Sequence, residues 1–326
     1  MKQWIKAIAV AGAAGFAAGL LTSAAFAQTW PERPIKLIVP FPAGGPTDTI
    51  ARVVTQNMAE TLGQTIVIDN RGGAGGVTGT DVVAKGAADG YTFVLSNAGA
   101  MAILPSLQKM PYRPTVDLKP LTLVAKVPEL LVVPASLAVS TLGEFLALAR
   151  SKPGALNYAS TGLGAVPHLA AELLKSAAKI DIVHVPFSGA APAVNELLSG
   201  RVQMMFADIP VLLPHVQAGT LRALAIGSAQ RSSLLPDVPT FIESGMPGVE
   251  ADNWYGFALA AATPPAIAAK LHAAAVKAMR APEVLKILSA QGVNLVGNTP
   301  EEFTAYILGE TAKWGEVVRV SGAKME

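Results

Sequence analysis

The 326-residue chain contains no cysteine. Disulfides, thiol catalysis and a lipid-modified N-terminal cysteine are therefore excluded. Charge is also sparse: Asp, Glu, Lys and Arg make up 15% of the residues, with 25 basic against 23 acidic side chains, a formal net charge of +2. Lys2 and Lys6 belong to an opening segment with no acidic residue, and without it the balance is 2 − 2 = 0. A neutral chain has no electrostatic basis for binding nucleic acid or an anionic membrane surface. The histidines His168, His184, His215 and His272 stand at no metal-ligand spacing, so neither a metal nor any other cofactor is expected. No tandem repeat and no low-complexity tract follows residue 27, and no later run is long and apolar enough to span a bilayer.

The opening segment has its own pattern. Lys2 and Lys6 precede an apolar stretch from about Ala7 to Leu21, and small residues then lead to Ala25-Phe26-Ala27 before Gln28. A short basic start, an apolar centre and an A-x-A-like end form a secretory leader. The stretch is short of the ~20 residues a spanning helix needs, and no basic stop-transfer flank follows. Export to the periplasm with cleavage after Ala27 is the expectation, and the lack of cysteine suits an oxidising compartment.

Some 300 residues remain, more than one core usually supports, so two domains are expected. Ile35–Phe41 is an apolar run bounded by prolines and glycines, as a buried strand requires. Ile50, Val53, Val54, Met58 and Leu62 recur at helical spacing, with Thr47 or Asp48 placed to cap that helix. Thr65–Asp69 and Tyr91–Leu95 read as strands around a glycine-rich turn, Gly72–Gly79, and a helix through Val82 and Val83. Strand and helix alternate again further on. Thr141 and Glu144 fit a capping box. Leu156–Ser160, Ile180–Phe187, Val202–Phe206 and Leu221–Ile226 read as strands, with helices through Leu169–Leu174 and Ala190–Leu198. After Trp254–Phe257 the pattern is helical, at Pro264–Arg280, Pro282–Ala290 and from Thr299 onward, without strands, so these helices are expected to pack on the first domain. The alternation predicts α/β domains with largely parallel sheets. Residues 28–127 and 252–326 are expected to form lobe 1, with lobe 2, residues 128–251, inserted.

Open α/β sheets bind ligands beyond the carboxyl ends of their strands. Four turns there are glycine-containing: Pro42-Ala43-Gly44-Gly45, Gly72–Gly76, Thr161–Gly164 and Ser188-Gly189-Ala190. Glycine lets backbone approach a ligand, and the amides and dipole of the following helix favour an anion. Two such turns per lobe facing one cleft would grip a carboxylate with backbone donors. Other chemistries lack their motifs. Gly73–Thr78 and Gly162–Pro167 miss the last glycine of a dinucleotide fingerprint, no glycine loop continues into Gly-Lys-Ser/Thr, and no Gly-x-Ser-x-Gly occurs. His168 fits a buried, hydrogen-bonded structural role better than a ligand contact. Asp48 fits a helix cap, Arg71 a solvated charge. Asp208, after an apolar strand, would repel a carboxylate but welcome an amino group, and its role stays open.

Several blocks then resemble a known family. Ile38–Asp48, Asp69–Gly76 and Asp89-Gly90-Tyr91-Thr92 look like the first-lobe signature of the Bug (TctC-type) receptors of tripartite tricarboxylate transporters. Asn157–Gly162 with His168-Leu169-Ala170, His184–Phe187, Leu221–Ala225 and Arg231 through Leu235–Thr240 are similar to its second-lobe pattern. The resemblance covers the whole chain after the leader. It implies a two-lobed periplasmic-binding-protein fold (type II, Venus-flytrap), each lobe a mostly parallel sheet flanked by helices, closing on a carboxylate held partly through water. The candidate ligand-binding residues are Phe41, Pro42, Ala43, Gly44, Gly45, Asp48, Gly75, Gly76, Val77 and Asn97 in lobe 1. In lobe 2 they are Ser160, Thr161, Gly162, His168, Phe187, Ser188, Gly189, Ala190 and Asp208. A monomer serving integral-membrane transporter subunits, without catalysis, is implied. Gly73 where the family usually has proline, Leu104 where an asparagine usually precedes Pro105, and Ser188 in place of a common lysine leave the ligand undefined. A periplasmic hydrolase on a similar scaffold would need a nucleophile–base–orienter set, which cannot be assembled from these residues. A receptor reporting to a sensor partner shares the fold and stays open.

Overall fold

The computed structural model describes residues 30–324. The leader and its expected cleavage point at Ala27–Gln28 lie outside the described residues. Strand β1 (Ile35–Val39) is buried except at Lys36, and the chain turns at Gly44-Gly45 into helix α1 (Pro46–Leu62). Proline suits the first turn of a helix, where an amide has no intrahelical partner. Ile50, Ala51, Val54 and Met58 bury one face of α1, and Gly63 ends it at φ 68°, a left-handed cap that costs glycine little. Strand β2 (Ile66–Asn70), a 3₁₀ turn (Ala74–Gly76), helix α2 (Val77–Ala84) and strand β3 (Thr92–Asn97) follow. The three strands are parallel, with β1 central. A π-helical turn (Gly99–Ile103) and the short α3 (Leu104–Leu107) come next.

The 17-residue β4 (Leu118–Pro134) then carries the chain out of this sheet. The second lobe repeats the alternation with α4 (Leu142–Ser151), β5 (Asn157–Ser160), α5 (Val166–Ala178), β6 (Val183–Pro186), α6 (Ala190–Leu198), β7 (Met204–Asp208), α7 (Ile209–Gln217) and β8 (Leu221–Ile226). Here β5 is central between parallel β6 and β7. Strand β9 (Asp252–Ala260) returns beside β3 and β4. Helices α8 (Pro265–Met279) and α9 (Pro282–Ser289), strand β10 (Asn294–Leu295) and helix α10 (Pro300–Ser321) complete the chain.

The resulting strand order is β2-β1-β3-β9-β4-β7-β5-β6, with β8 and β10 also on β4. Strand β4 pairs antiparallel with β9 over Leu118–Pro128, and from Glu129 onward with β7 and β8. Each lobe therefore has three parallel strands, as expected, and the antiparallel pairings come from the strands that join the lobes. The closing section differs from expectation. It contributes β10 to the sheet, and α10 packs against α5 of the second lobe as well as β4 and the π turn.

What secures α10 is a buried aromatic joint. Glu310 accepts hydrogen bonds from the Trp254 indole at 3.2 Å and the Trp314 indole at 2.9 Å, while Phe303 meets Trp254 edge-on at 5.7 Å. A Thr299–Glu302 capping box starts the helix and Gly322 ends it. Phe303 also lies on the α-carbon of Gly256: a Cβ there would stand 2.1 Å from the ring. Gly256→Ala is thus expected to lose about 1–3 kcal/mol through overpacking. Phe303→Leu in the same chain should recover part of it, as read by urea unfolding. Equal midpoints for Gly256→Ala and the parent would contradict this packing.

Candidate functional site

The β1–α1 turn opens onto a cavity of about 660 Å³. Its wall runs through Phe41–Thr47 and Thr49, Asn97 at the end of β3, Thr161 and Ala165–Pro167 at the start of α5, and Ser188–Pro192 at the start of α6. Asp208 with Pro210 and Val211 at the start of α7, and Asn253 and Tyr255 on β9, supply another side. Both lobes and a crossing strand thus share one space.

Four helices, α1, α5, α6 and α7, begin at this wall, and none has a side chain closing its first amides. The N-caps are Gly45, Ala165, Gly189 and Asp208, the last without a side-chain cap bond. By contrast, α4 and α10, which begin elsewhere, each carry a full capping box. A helix start left this way offers N–H donors and the positive end of a dipole. Of the described residues lining the cavity, Asp208 alone bears a formal charge. The wall can therefore meet an anion with backbone amides but with no lysine or arginine.

Asp48 does not reach the wall, and the helix cap expected of Thr47 or Asp48 is Gly45. The Asp48 carboxylate instead fastens the turn. It accepts from the Gly44 amide at 2.9 Å, from Arg52 Nε at 2.8 Å and Nη2 at 3.0 Å, and from Asn70 Nδ2 at 3.0 Å. Asn70 also donates to the Phe41 carbonyl at 3.0 Å. The Gly44 amide is thus spent inside the protein, at a φ of 85° that favours glycine. Gly45, Thr47 and the start of α1 remain to face a ligand.

Gly75, Gly76 and Val77 are likewise set back. Val77 is core, and a Cβ on Gly75 would meet Leu104 at 3.1 Å, as one on Gly164 would at 2.2 Å. Leu104 therefore fills the gap between the glycine turns of the two lobes, and the first-lobe turn serves packing. Gly73 sits at φ 137°, which proline cannot adopt. In the second lobe Ser160, Gly162, His168 and Phe187 lie behind the wall. Ser160 is fully buried, with Oγ 2.7 Å from His184 Nε2 and accepting from the Gly162 amide at 3.3 Å. His168 accepts the Gly164 amide at Nδ1, 3.2 Å, and stacks on His184 at 4.1 Å, which stacks on Tyr158 at 4.7 Å. Burial lowers both imidazole pKa values, that of His184 to about 3, so the stack is neutral. Phe187 packs into the second-lobe core, its amide on the Ser160 carbonyl.

The remaining candidates line the cavity: Phe41, Pro42, Ala43, Gly44, Gly45, Asn97, Thr161, Ser188, Gly189, Ala190 and Asp208. Sequence reasoning missed Thr47, Asn195, His215, Asn253, Tyr255 and Gln291. Asn253 and Tyr255 lie just past the boundary expected between lobe 2 and the returning part of lobe 1, and nothing local marks such a strand as a cavity wall. Asp208 accepts from Tyr255 Oη at 2.5 Å and from Asn253 Nδ2 at 3.0 Å.

Burial pushes the Asp48 pKa up, but the hydrogen bonds from Arg52, Gly44 and Asn70 outweigh it and leave it below 3.8. Ionised Asp48 therefore stabilises the fold fully above the unfolded value, and that stability disappears as pH falls through the depressed folded value. Asp48→Asn should lose about 1–3 kcal/mol at pH 7. Its deficit relative to the parent should close as urea unfolding is repeated towards roughly pH 2. A deficit constant with pH would show that the charge is not what holds the turn.

The profile of the tripartite tricarboxylate transporter family receptor, TctC, matches residues 50–323. Protein BugT of Bordetella pertussis is 39% identical over 305 residues, 92% of this chain and 93% of its own. R. palustris Rpa4515, solved with adipate, superposes with a TM-score of 0.86 at 34% identity, covering 90% of this chain and 99% of that one. MatC of Rhodopseudomonas palustris, solved with bound malate, gives 0.83 at 35% identity, over 89% and 100%. A two-lobed α/β fold around one shared cavity, and similarity running nearly the length of both chains, lead to one conclusion: this chain belongs to the TctC family of tripartite tricarboxylate transporter receptors.

Proposed function

We propose that this chain is an exported receptor that binds a small organic carboxylate between its lobes and delivers it to the membrane subunits of a tripartite transporter. The observation that carries the reading is the set of four helix starts on a wall without cationic side chains. An anion placed there receives backbone hydrogen bonds and dipole attraction from both lobes. Ligand then favours the arrangement in which the lobes share it, which is what a transporter partner can recognise. The lobes are assigned to residues 28–127 with 252–326 and to residues 128–251, and Ala27–Gln28 is assigned as the cleavage point. Adipate and malate, bound by relatives, support a small carboxylate as the ligand class. The cavity has the size and concavity usual for small-molecule sites. The Ser160–His184 pair gives little support to a hydrolase, because Ser160 is buried behind the wall and His184 is a weak base held in a ring stack.

Adipate or malate at a hundred times its Kd should stabilise the mature protein by about 2.7 kcal/mol in a thermal shift. Gly45 gives the sharper test. Its φ of −81° suits any residue, and a Cβ there meets only the Pro42 carbonyl, at 3.7 Å. Gly45→Leu should fold normally yet weaken binding at least tenfold, about 1.4 kcal/mol. Arg71→Ala should bind like the parent, since Arg71 Nε donates to Asp69 at 2.9 Å and the residue is not on the wall. Parent-like binding by Gly45→Leu, with binding abolished in Arg71→Ala, would replace the backbone cradle with a side-chain clamp.

A further inference from the structure

An anion cavity with a carboxylate in its wall poses a problem of charge. Asp208 ends β7 and is 5% exposed. Directly across the β4–β7 ladder stands Glu129. Glu129 is fully buried, and neither of its carboxyl oxygens has a partner other than the Asp208 carboxyl it faces. Two carboxyl groups so placed cannot both ionise. Burial, then the charge of Asp208, pushes the Glu129 pKa well up, and burial pushes Asp208 up as well, so the pair holds one proton between them. The nearby cations do not answer the remaining negative charge: Lys126 and Lys313 act on Asp252. Tyr255, its own pKa raised by burial and by Asp208, stays a protonated donor.

A carboxylate offers about four acceptor positions. Tyr255 Oη, Asn253 Nδ2 and the proton shared with Glu129 occupy three of those on Asp208. One is left, on a residue that lines the cavity. A second ligand carboxylate brought against this buried group would face repulsion, whereas a donor would complete its shell.

We propose that Asp208, backed by Glu129, is the specificity-determining acceptor of the cavity, taking an ammonium or hydroxyl group of a ligand whose carboxylate lies at the helix starts. The inference rests on the carboxylate-receptor reading above and narrows it to amino- or hydroxy-substituted acids. A site built to bond such a group discriminates strongly against an analogue lacking it, because the site's own polar atoms are then left unpaired.

Matched acids test this by titration calorimetry: succinate, malate and aspartate, then adipate, 2-hydroxyadipate and 2-aminoadipate. In the parent, the hydroxy or amino member of at least one set should bind at least tenfold more tightly than the plain diacid, and which member wins separates hydroxyl from ammonium. Asp208→Asn should reduce that preference to threefold or less while still binding the plain diacid. Glu129→Gln should keep the preference, since its amide can donate to Asp208 as the shared proton does. Plain diacids binding as tightly as their substituted partners in the parent would overturn the inference and leave the receptor reading intact. So would an undiminished preference in Asp208→Asn. The parent ranking decides the matter even if Asp208→Asn fails to fold. If none of the six acids binds, the carboxylate reading itself fails and this subsite with it.

Discussion

Backbone amides left open at four helix starts set the terms for everything else at the cavity. A helix start can be closed by its own N-cap side chain, as Thr141 and Thr299 do in α4 and α10. At the cavity the N-caps are glycine, alanine, glycine and an aspartate whose carboxylate is engaged elsewhere. Relative to a good cap, the alanine start forgoes about 1 kcal/mol and each glycine start about a few tenths. In the proposed binding mode a ligand carboxylate takes the place of those caps. Dipoles fixed by the fold need little reorganisation to receive charge, and they avoid the large entropy a lysine or arginine would lose on being held in place.

Holding those amides in place requires the turns to be rigid, and the rigidity comes from outside the wall. Asp48 ties the Gly44 amide, Arg52 and Asn70 into one knot behind the β1–α1 turn. His168 ties the Gly164 amide ahead of α5 and rests on the His184–Tyr158 stack. Tyr158 in turn donates to Glu172 at 2.6 Å, which also receives Lys175 at 2.7 Å. These polar groups are satisfied by one another, which suits a supporting role better than a contact with a transient ligand. The strands β4 and β9 and the helix α10 connect the two lobes mechanically, with Trp254, Phe303 and Glu310 at the joint.

Much of this architecture is legible in the sequence, for reasons that differ by element. The capping boxes at Thr141 and Thr299 and the apolar runs of β1 and β8 are local signals, and each appears where its signal lies. The turns at Gly44-Gly45 and Ser188-Gly189 are legible too, because strand, glycine and helix start are adjacent in the chain. Side-chain direction is not. Asp48 and Ser160 belong to the right turns yet point away from the cavity, since only tertiary partners such as Asn70 and His184 decide where they turn. Glycines mislead in a similar way: Gly75 and Gly164 make room for Leu104, far along the chain, and no local pattern records that need. Asn253, Tyr255 and Glu129 were invisible as cavity or carboxyl-pair residues because their meeting with Asp208 depends on the register of β4 against β7 and β9.

In the proposed binding mode backbone amides, not cationic side chains, hold the ligand. Amide-resolved NMR of the deuterated, nitrogen-15-labelled mature chain during an adipate or malate titration tests it most directly. Saturable downfield shifts are expected at Gly45, Thr47, Gly189, Ala190 and Ala191, the N-caps and first amides of α1 and α6. Saturable binding that leaves these amides unmoved, with the shifts gathered instead around lysine and arginine residues outside the cavity, would contradict it.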